Sequence, residues 1–184
     1  YPMPEGMSFE EAAGFIVTYQ SSYFAIVVRA NLQPTETMLV HAGAGGIGSS
    51  AIQIGKAIGA KVYATAGSEE KLEVIRSLGA DLALNYNDAT WSKKIRKEYG
   101  GVDVVIDPVG GEAFDKSILC TNFEGRIVVV GFTSGRIPTL AVNMLLLNNI
   151  SVMGVYWNLY QNDKPEAIKK CVNQLNEWYV QGKV

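Results

Sequence analysis

Thr37 to Gly48 reads TMLVHAGAGGIG, an apolar run that passes without a linker into a glycine-rich turn. Gly43, Gly45 and Gly48 satisfy G-x-G-x-x-G, a pattern that is weak alone and gains meaning between a strand and a helix. The next residues supply the helix. Ile47, Ala51, Ile54 and Ile58 fall at i, i+4, i+7 and i+11 and make one apolar stripe. A side chain at Gly45 or Gly46 would hold a pyrophosphate away from backbone N–H groups whose dipole favours negative charge. Gly48 would let the helix lie close to the strand. The alternative is a glycine-rich turn that serves no ligand. No G-x-x-x-x-G-K-[ST] loop for a nucleoside triphosphate is present.

Outward from this turn, strands and helices alternate. We expect strands at Thr37–His41, Lys61–Thr65, Leu82–Tyr86, Val102–Asp107, Arg126–Gly131 and Ile150–Trp157. Several are almost continuously apolar, as in a parallel sheet covered on both faces. Ser68 can cap a helix with Glu69 and Glu70 in its first turn, Leu72, Ile75 and Leu78 inward, and Gly79 just past its end. Trp91, Ile95 and Tyr99 mark another helix, and 113–120 and 140–147 read as two shorter ones. Ser8 and Glu11 form a capping box for a first helix over 8–30, and Asp163 and Pro165 open a last helix over 163–183. This alternation predicts an α/β fold: a doubly wound, six-stranded parallel sheet in the order 3-2-1-4-5-6, one domain over 1–184.

Composition narrows the class further. Sixteen Lys and Arg against eighteen Asp and Glu leave a net charge of -2, with no basic stripe for nucleic acid or an anionic membrane surface. With 48% hydrophobic and 18% charged residues the chain has the makings of a packed core. No apolar run is long enough to span a membrane. Cys120 and Cys171 stand far apart without C-x-x-C spacing and read as core residues, which suits a reducing, cytoplasmic setting. Tyr1 stands where an initiating methionine would, so a piece of a longer protein is expected.

The end of the second strand distinguishes between dinucleotides. An NAD site places Asp or Glu there, about 20 residues beyond the turn, to hold the ribose 2′-hydroxyl. Here the chain reads Ala64-Thr65-Ala66-Gly67-Ser68, with no carboxylate at the tip. Lys71 follows, and Tyr86 ends the third strand beside it. A lysine and two hydroxyls make a grip for a 2′-phosphate, which favours NADP(H). Against it, Lys71 could be a solvated helix residue and Tyr86 an edge residue, and Glu69 and Glu70 would repel a phosphate if they turned inward.

These residues resemble a known family. The segments LVHAGAGGIG, GAKVYATAGSEEKL, GVDVVIDPVGG, EGRIVVVGF and LLLNNISVMGVYW are similar to the cofactor half of medium-chain dehydrogenases/reductases, closest to the zeta-crystallin-like quinone oxidoreductases. The resemblance implies a two-domain enzyme that uses NADPH and no zinc to reduce quinones or activated alkenes. It places Gly45, Gly46 and Ile47 at the pyrophosphate, and Gly67, Ser68, Lys71 and Tyr86 around the 2′-phosphate. It also implies Val109 by the adenosine half, and Val130, Gly131, Phe132 and Thr133 with Val155, Tyr156 and Trp157 flanking the nicotinamide. Thr18 or Ser21 would face the carboxamide. The family's N-terminal GroES-like domain has no counterpart in this sequence, so we expect cofactor binding without efficient turnover.

Other features carry less. Zinc relatives in the same superfamily place a ligand cysteine in the helix region matching 14–21, which here reads GFIVTYQS, and no metal site is expected. His41, the one histidine, is read as structural, hydrogen-bonded within the turn. Asp107 either shapes the crevice or caps the next turn, and we prefer the cap. No catalytic residue is assigned. The segment 150–157 lacks charge and proline at a sheet edge, and we expect it to pair two copies as a homodimer; cover by the last helix is the alternative. The functional readings are a quinone reductase acting on a small-molecule acceptor, a 2-alkenal or enoyl reductase, or a non-catalytic NADPH-binding module.

Overall fold

The computed structural model describes residues 3–184. It opens with helix α1 (Phe9–Tyr23), followed by strand β1 (Thr37–Val40), helix α2 (Gly46–Ile58), strand β2 (Lys61–Ala66), helix α3 (Glu69–Ser77) and strand β3 (Leu82–Asn85). Then come α4 (Trp91–Glu98), β4 (Val102–Asp107), α5 (Gly111–Ser117), β5 (Thr121–Val129), α6 (Asn143–Asn148), β6 (Ser151–Gly154), α7 (Trp157–Asp163) and α8 (Pro165–Val180). All six strands are parallel, in the expected order 3-2-1-4-5-6. The fold is the doubly wound α/β sheet.

Side chains along the central strands alternate between two cores. Met38, Val40, Val62, Ala64, Val104, Ile106 and Val128 face the core built with α2, α3 and α8. Leu39, Tyr63, Val105 and Ile127 face the one built with α4 and α5. Both faces are therefore apolar, which is why these strands read as unbroken hydrophobic runs. The helical stripes pack as read: Ala51, Ile54, Leu72, Ile75, Ile95, Ile168 and Leu175 are buried. Cys120 and Cys171 are fully buried, and burial pushes the Cys120 thiol up to about 12 and raises Cys171 as well.

Several boundaries differ from the sequence reading, each for a tertiary reason. The first helix is capped as expected, with the Ser8 amide donating to Glu11 Oε2 (2.8 Å) and the Glu11 amide to Ser8 Oγ (3.2 Å). It is not α-helical to residue 30: Phe24–Arg29 form a π-helical turn. That turn buries Phe24, Ala25 and Ile26 and stacks the Phe24 ring on Tyr160 at 4.1 Å. Arg126 fixes its end, donating from Nε and Nη2 to the Ala30 carbonyl (3.0 and 2.8 Å) and pairing with Glu36.

The fifth strand starts at Thr121, not Arg126, because its pairing with β4 jumps from Val102↔Thr121 to Val104↔Arg126 and the residues between bulge, with Glu124 at φ +61°. It ends at Val129. The sixth strand is Ser151–Gly154, not 150–157, since its ladder stops where its partner's does, at Val129↔Gly154. Beyond it the apolar run turns into α7. Trp157 Nε1 donates to the buried Gln20 Oε1 (3.0 Å) and Tyr160 meets Phe24, contacts between residues more than a hundred positions apart. The last helix accordingly begins at Pro165 and ends at Val180, and α5 and α6 shift by a few residues.

Candidate functional site

The site forms where β1, β2 and β4 end. The His41 amide donates to the Ile106 carbonyl (3.1 Å) and the Gly43 amide to the Thr65 carbonyl (2.9 Å), so the turn after β1 is laced to both neighbouring strands. Gly45 then caps α2 with no side-chain hydrogen bond. The first intrahelical bond at this end runs from the Ser49 amide to the Gly45 carbonyl (2.8 Å). The amides of Gly46, Ile47 and Gly48 precede it and have no partner among the described residues. Gly45 and Gly46 are exposed. A glycine-rich α-helix start with no side-chain cap is a ready seat for an anion.

Each glycine has its own steric cause. A Cβ at Gly48 would collide with the Ala42 carbonyl and come within 2.6 Å of Gly43 Cα, so the helix can approach the strand only with glycine there. At Gly46 a Cβ would meet the Thr18 methyl at 3.0 Å. Thr18 of α1 therefore lies directly over the turn. Gly43, by contrast, makes room for Ile75 of α3.

Besides a cavity of about 600 Å³ on the α1 side, walled by Thr18, Gly46 and Ser49, two cavities flank the turn. One of about 160 Å³ is lined by Ala42, Ala44, Gly45, Ala66, Gly67, Lys71 and Tyr86. It gathers Gly67, Lys71 and Tyr86, expected to grip a 2′-phosphate, while Ser68 does not line it. Ser68 caps α3, its Oγ accepting from the Lys71 amide (3.4 Å), which leaves the hydroxyl proton to donate elsewhere. Lys71 makes no ion pair among the described residues. Glu69 is held along the helix by Arg76 (2.7 Å) and does not face the cavity.

The second cavity, about 330 Å³, shares Ala42 and Tyr86 with the first and extends past Thr65, Trp91 and Val109 to Glu112, Lys116, Thr133 and Ser134. Its floor is shaped by Asp107, whose Oδ1 accepts from the Val109 and Gly110 amides (2.8 and 2.9 Å). That is the cap expected of it. Its Oδ2 is buried with no partner among the described residues. Gly110, at φ +67° and ψ −152°, takes a conformation open in practice to glycine alone. The loop after β5 is pinned here: Val130 donates to the Asp107 carbonyl (2.8 Å) and Thr133 to the Pro108 carbonyl through its amide and hydroxyl (both 3.1 Å).

His41 is fully engaged. Its Nε2 lies 2.7 Å from Ser117 Oγ and its Nδ1 2.9 Å from Thr65 Oγ1. Ser117 donates its proton to the Ala113 carbonyl (2.8 Å), so it accepts from Nε2–H, and Thr65 donates to Nδ1. The ring is neutral in this arrangement. Burial lowers its pKa, with the Asp107 charge acting in the opposite direction. His41 lies in the wall of the second cavity and ties β1 to β2 and α5, where bonding within its own turn was expected.

Not every expected residue joins these cavities. Val155 and Tyr156 line a different one of about 310 Å³ with Arg29, Leu159 and Tyr160, and Trp157 starts α7. Ser21 is half-buried on α1, and Val130, Gly131 and Phe132 lie outside both cavities, on the loop that approaches Pro108. The sequence reading missed Thr65, Trp91, Glu112, Lys116 and Ser134. Thr65 could have been found from its place at the end of β2; the others come from across the sheet and carry no local signal. Among the described residues no group of three His, Cys, Asp or Glu side chains could hold a metal ion.

The family model for zinc-binding dehydrogenases matches residues 46–173. Quinone oxidoreductase-like protein 2 of Bos taurus is 38% identical over 187 aligned residues, covering 100% of this chain and 54% of that protein. The Escherichia coli quinone oxidoreductase, solved in complex with NADPH, superposes with a TM-score of 0.90 at 27% identity, over 100% of this chain and 57% of that one. The CurK enoyl reductase superposes with a TM-score of 0.87 at 30% identity, over 100% and 55%. The chain spans about half the length of the curated relatives it matches.

Proposed function

This chain belongs to the zinc-binding dehydrogenase family, and we propose that it is the NADP(H)-binding half of a zinc-independent oxidoreductase that passes hydride to a quinone. The observation that carries the proposal is the start of α2, with glycines at 45, 46 and 48 and no side-chain cap, beside a β2 end that bears no carboxylate. The amides of Gly46, Ile47 and Gly48 would hold the diphosphate. Lys71, Ser68 and Tyr86 would hold the 2′-phosphate around Gly67, and the larger cavity past Val109 would take the adenosine. Thr18, over Gly46, would border the nicotinamide on one side, with the loops at 130–133 and 155–157 on the other.

When bound, NADPH supplies the hydride. The part of this chain is to fix the nicotinamide against an acceptor and keep water away. A quinone is electrophilic enough to accept hydride without a Lewis acid. The longer relatives, on which the bovine and bacterial names rest, support a further domain that would complete the acceptor pocket. The likeness to an enoyl reductase supports a second reading, an activated alkene as acceptor. The β6 edge supports pairing of two copies, set out below.

The test is a titration of the chain with NADPH and with NADH, repeated on Lys71→Ala. We expect NADPH to bind more tightly, and the substitution to weaken NADPH about tenfold, the scale of one charge-assisted contact, while leaving NADH unchanged. Equal affinity for both dinucleotides, unaffected by the substitution, would overturn the NADP(H) reading.

A further inference from the structure

We propose that Ser22 and Ser50 are positioning residues of the dinucleotide site, a buried hydroxyl pair that sets the aim of the amides at the start of α2. The inference rests on the reading of that turn as a diphosphate seat. Both side chains are 0% exposed, and their Oγ atoms lie 2.7 Å apart. Ser22 Oγ is 3.2 Å from the Ile47 carbonyl; Ser50 Oγ is 2.9 Å from the Gly46 carbonyl, 3.1 Å from that of Ile47 and 3.3 Å from that of Thr18.

Proton counting shows where these bonds end. Two hydroxyls hold two protons. If Ser22 donates to Ser50, the Ser50 proton goes to its shortest remaining acceptor, Gly46. If Ser50 donates to Ser22, the Ser22 proton goes to Ile47. Either way one bond crosses between α1 and α2 and the other ends on a first-turn carbonyl of α2. Those carbonyls belong to the planar peptide units whose N–H groups are those of Ile47 and Gly48. Holding the C=O end of each unit fixes the direction of its N–H end. The same residues that would meet the diphosphate are thus aligned from behind by two side chains that touch no ligand.

The pair also explains its own polarity. A buried pair of alanines would fill nearly the same space without desolvating two hydroxyls. What the hydroxyls add is register between α1 and α2, and one turn earlier on α1 Thr18 sits over Gly46 in the same register.

The experiment compares NADPH with adenosine 2′-phosphate, which has no diphosphate, on the unaltered chain, Ser22→Ala, Ser50→Ala and the double variant. We expect the double variant to bind NADPH about five- to tenfold more weakly, the scale of one to two lost buried hydrogen bonds, with adenosine 2′-phosphate unchanged. Ser22→Ala, which leaves the Ser50 bond to Gly46, should show the smaller effect and serves if the double variant does not fold. Unchanged NADPH affinity in the variants, or equal weakening of both ligands, would overturn the inference while leaving the site reading intact. An unaltered chain that binds neither ligand would remove the site reading and the inference with it.

Discussion

His41 has both ring nitrogens within hydrogen-bond distance of hydroxyls, Thr65 and Ser117, and its surroundings favour the neutral ring. Burial sets its pKa below the ordinary histidine value, only partly offset by the Asp107 charge. The unfolded chain therefore binds a proton on this residue at a higher pH than the folded chain does. Stability contributed by the neutral ring is complete above the unfolded value of about 6.5 and falls as pH drops below it, by at most about 1.4 kcal/mol per pH unit. The carboxylates whose pKa values are lowered, such as Glu36 beside Arg126, lose their contribution only below the ordinary carboxylate range, so the window between about 5 and 6.5 belongs to the histidine. As the chain has one histidine, proton NMR reads its ring without assignment. The resonance should stay at its neutral position through the pH range in which a free histidine titrates. Titration at or above about 6.5 would contradict the buried neutral ring.

At the scale of elements, the strands that face two cores were legible and the ends of elements were not. Met38 to Val40 and Val104 to Ile106 are buried on both sides, and such runs leave no doubt in a sequence. The segment after Gly154 is as apolar as a strand, yet β5 has no residue left to pair with it, and Gln20 and Phe24 draw Trp157 and Tyr160 into α7. Nothing local announces such contacts. The π-helical turn at Phe24–Arg29 was hidden for the same reason. The shorter β6 still forms the sheet edge, and α6 beside it exposes Val142, Leu146 and Leu147 at 70% or more. Arg29 Nε already occupies the Gly154 carbonyl (3.1 Å), so pairing between two copies would use Ser151 to Met153. A proposed homodimer through this edge predicts a dimer mass by light scattering, and a monomer for Val152→Lys once its folding is confirmed by circular dichroism. A monomeric unaltered chain, or a variant that stays dimeric, would count against it.

Across the whole molecule, the glycine turn, Gly67, Lys71 and Tyr86 could be read from the chain because one strand-turn-helix unit and its neighbour carry them. The wall made by Glu112, Lys116 and Ser134 could not, since it arrives from β4–α5 and from the loop after β5. The serine pair that backs the turn joins positions 22 and 50 and becomes visible only when α1 packs on α2. What unites these parts is the claim that the unpartnered amides of Gly46, Ile47 and Gly48 meet a diphosphate. An amide-detected NMR titration with NADPH reads that directly. The account predicts that the resonances of these residues move, with the same dissociation constant as those around Lys71. NADPH that binds while those three stay still, shifting residues of another cleft instead, would contradict it.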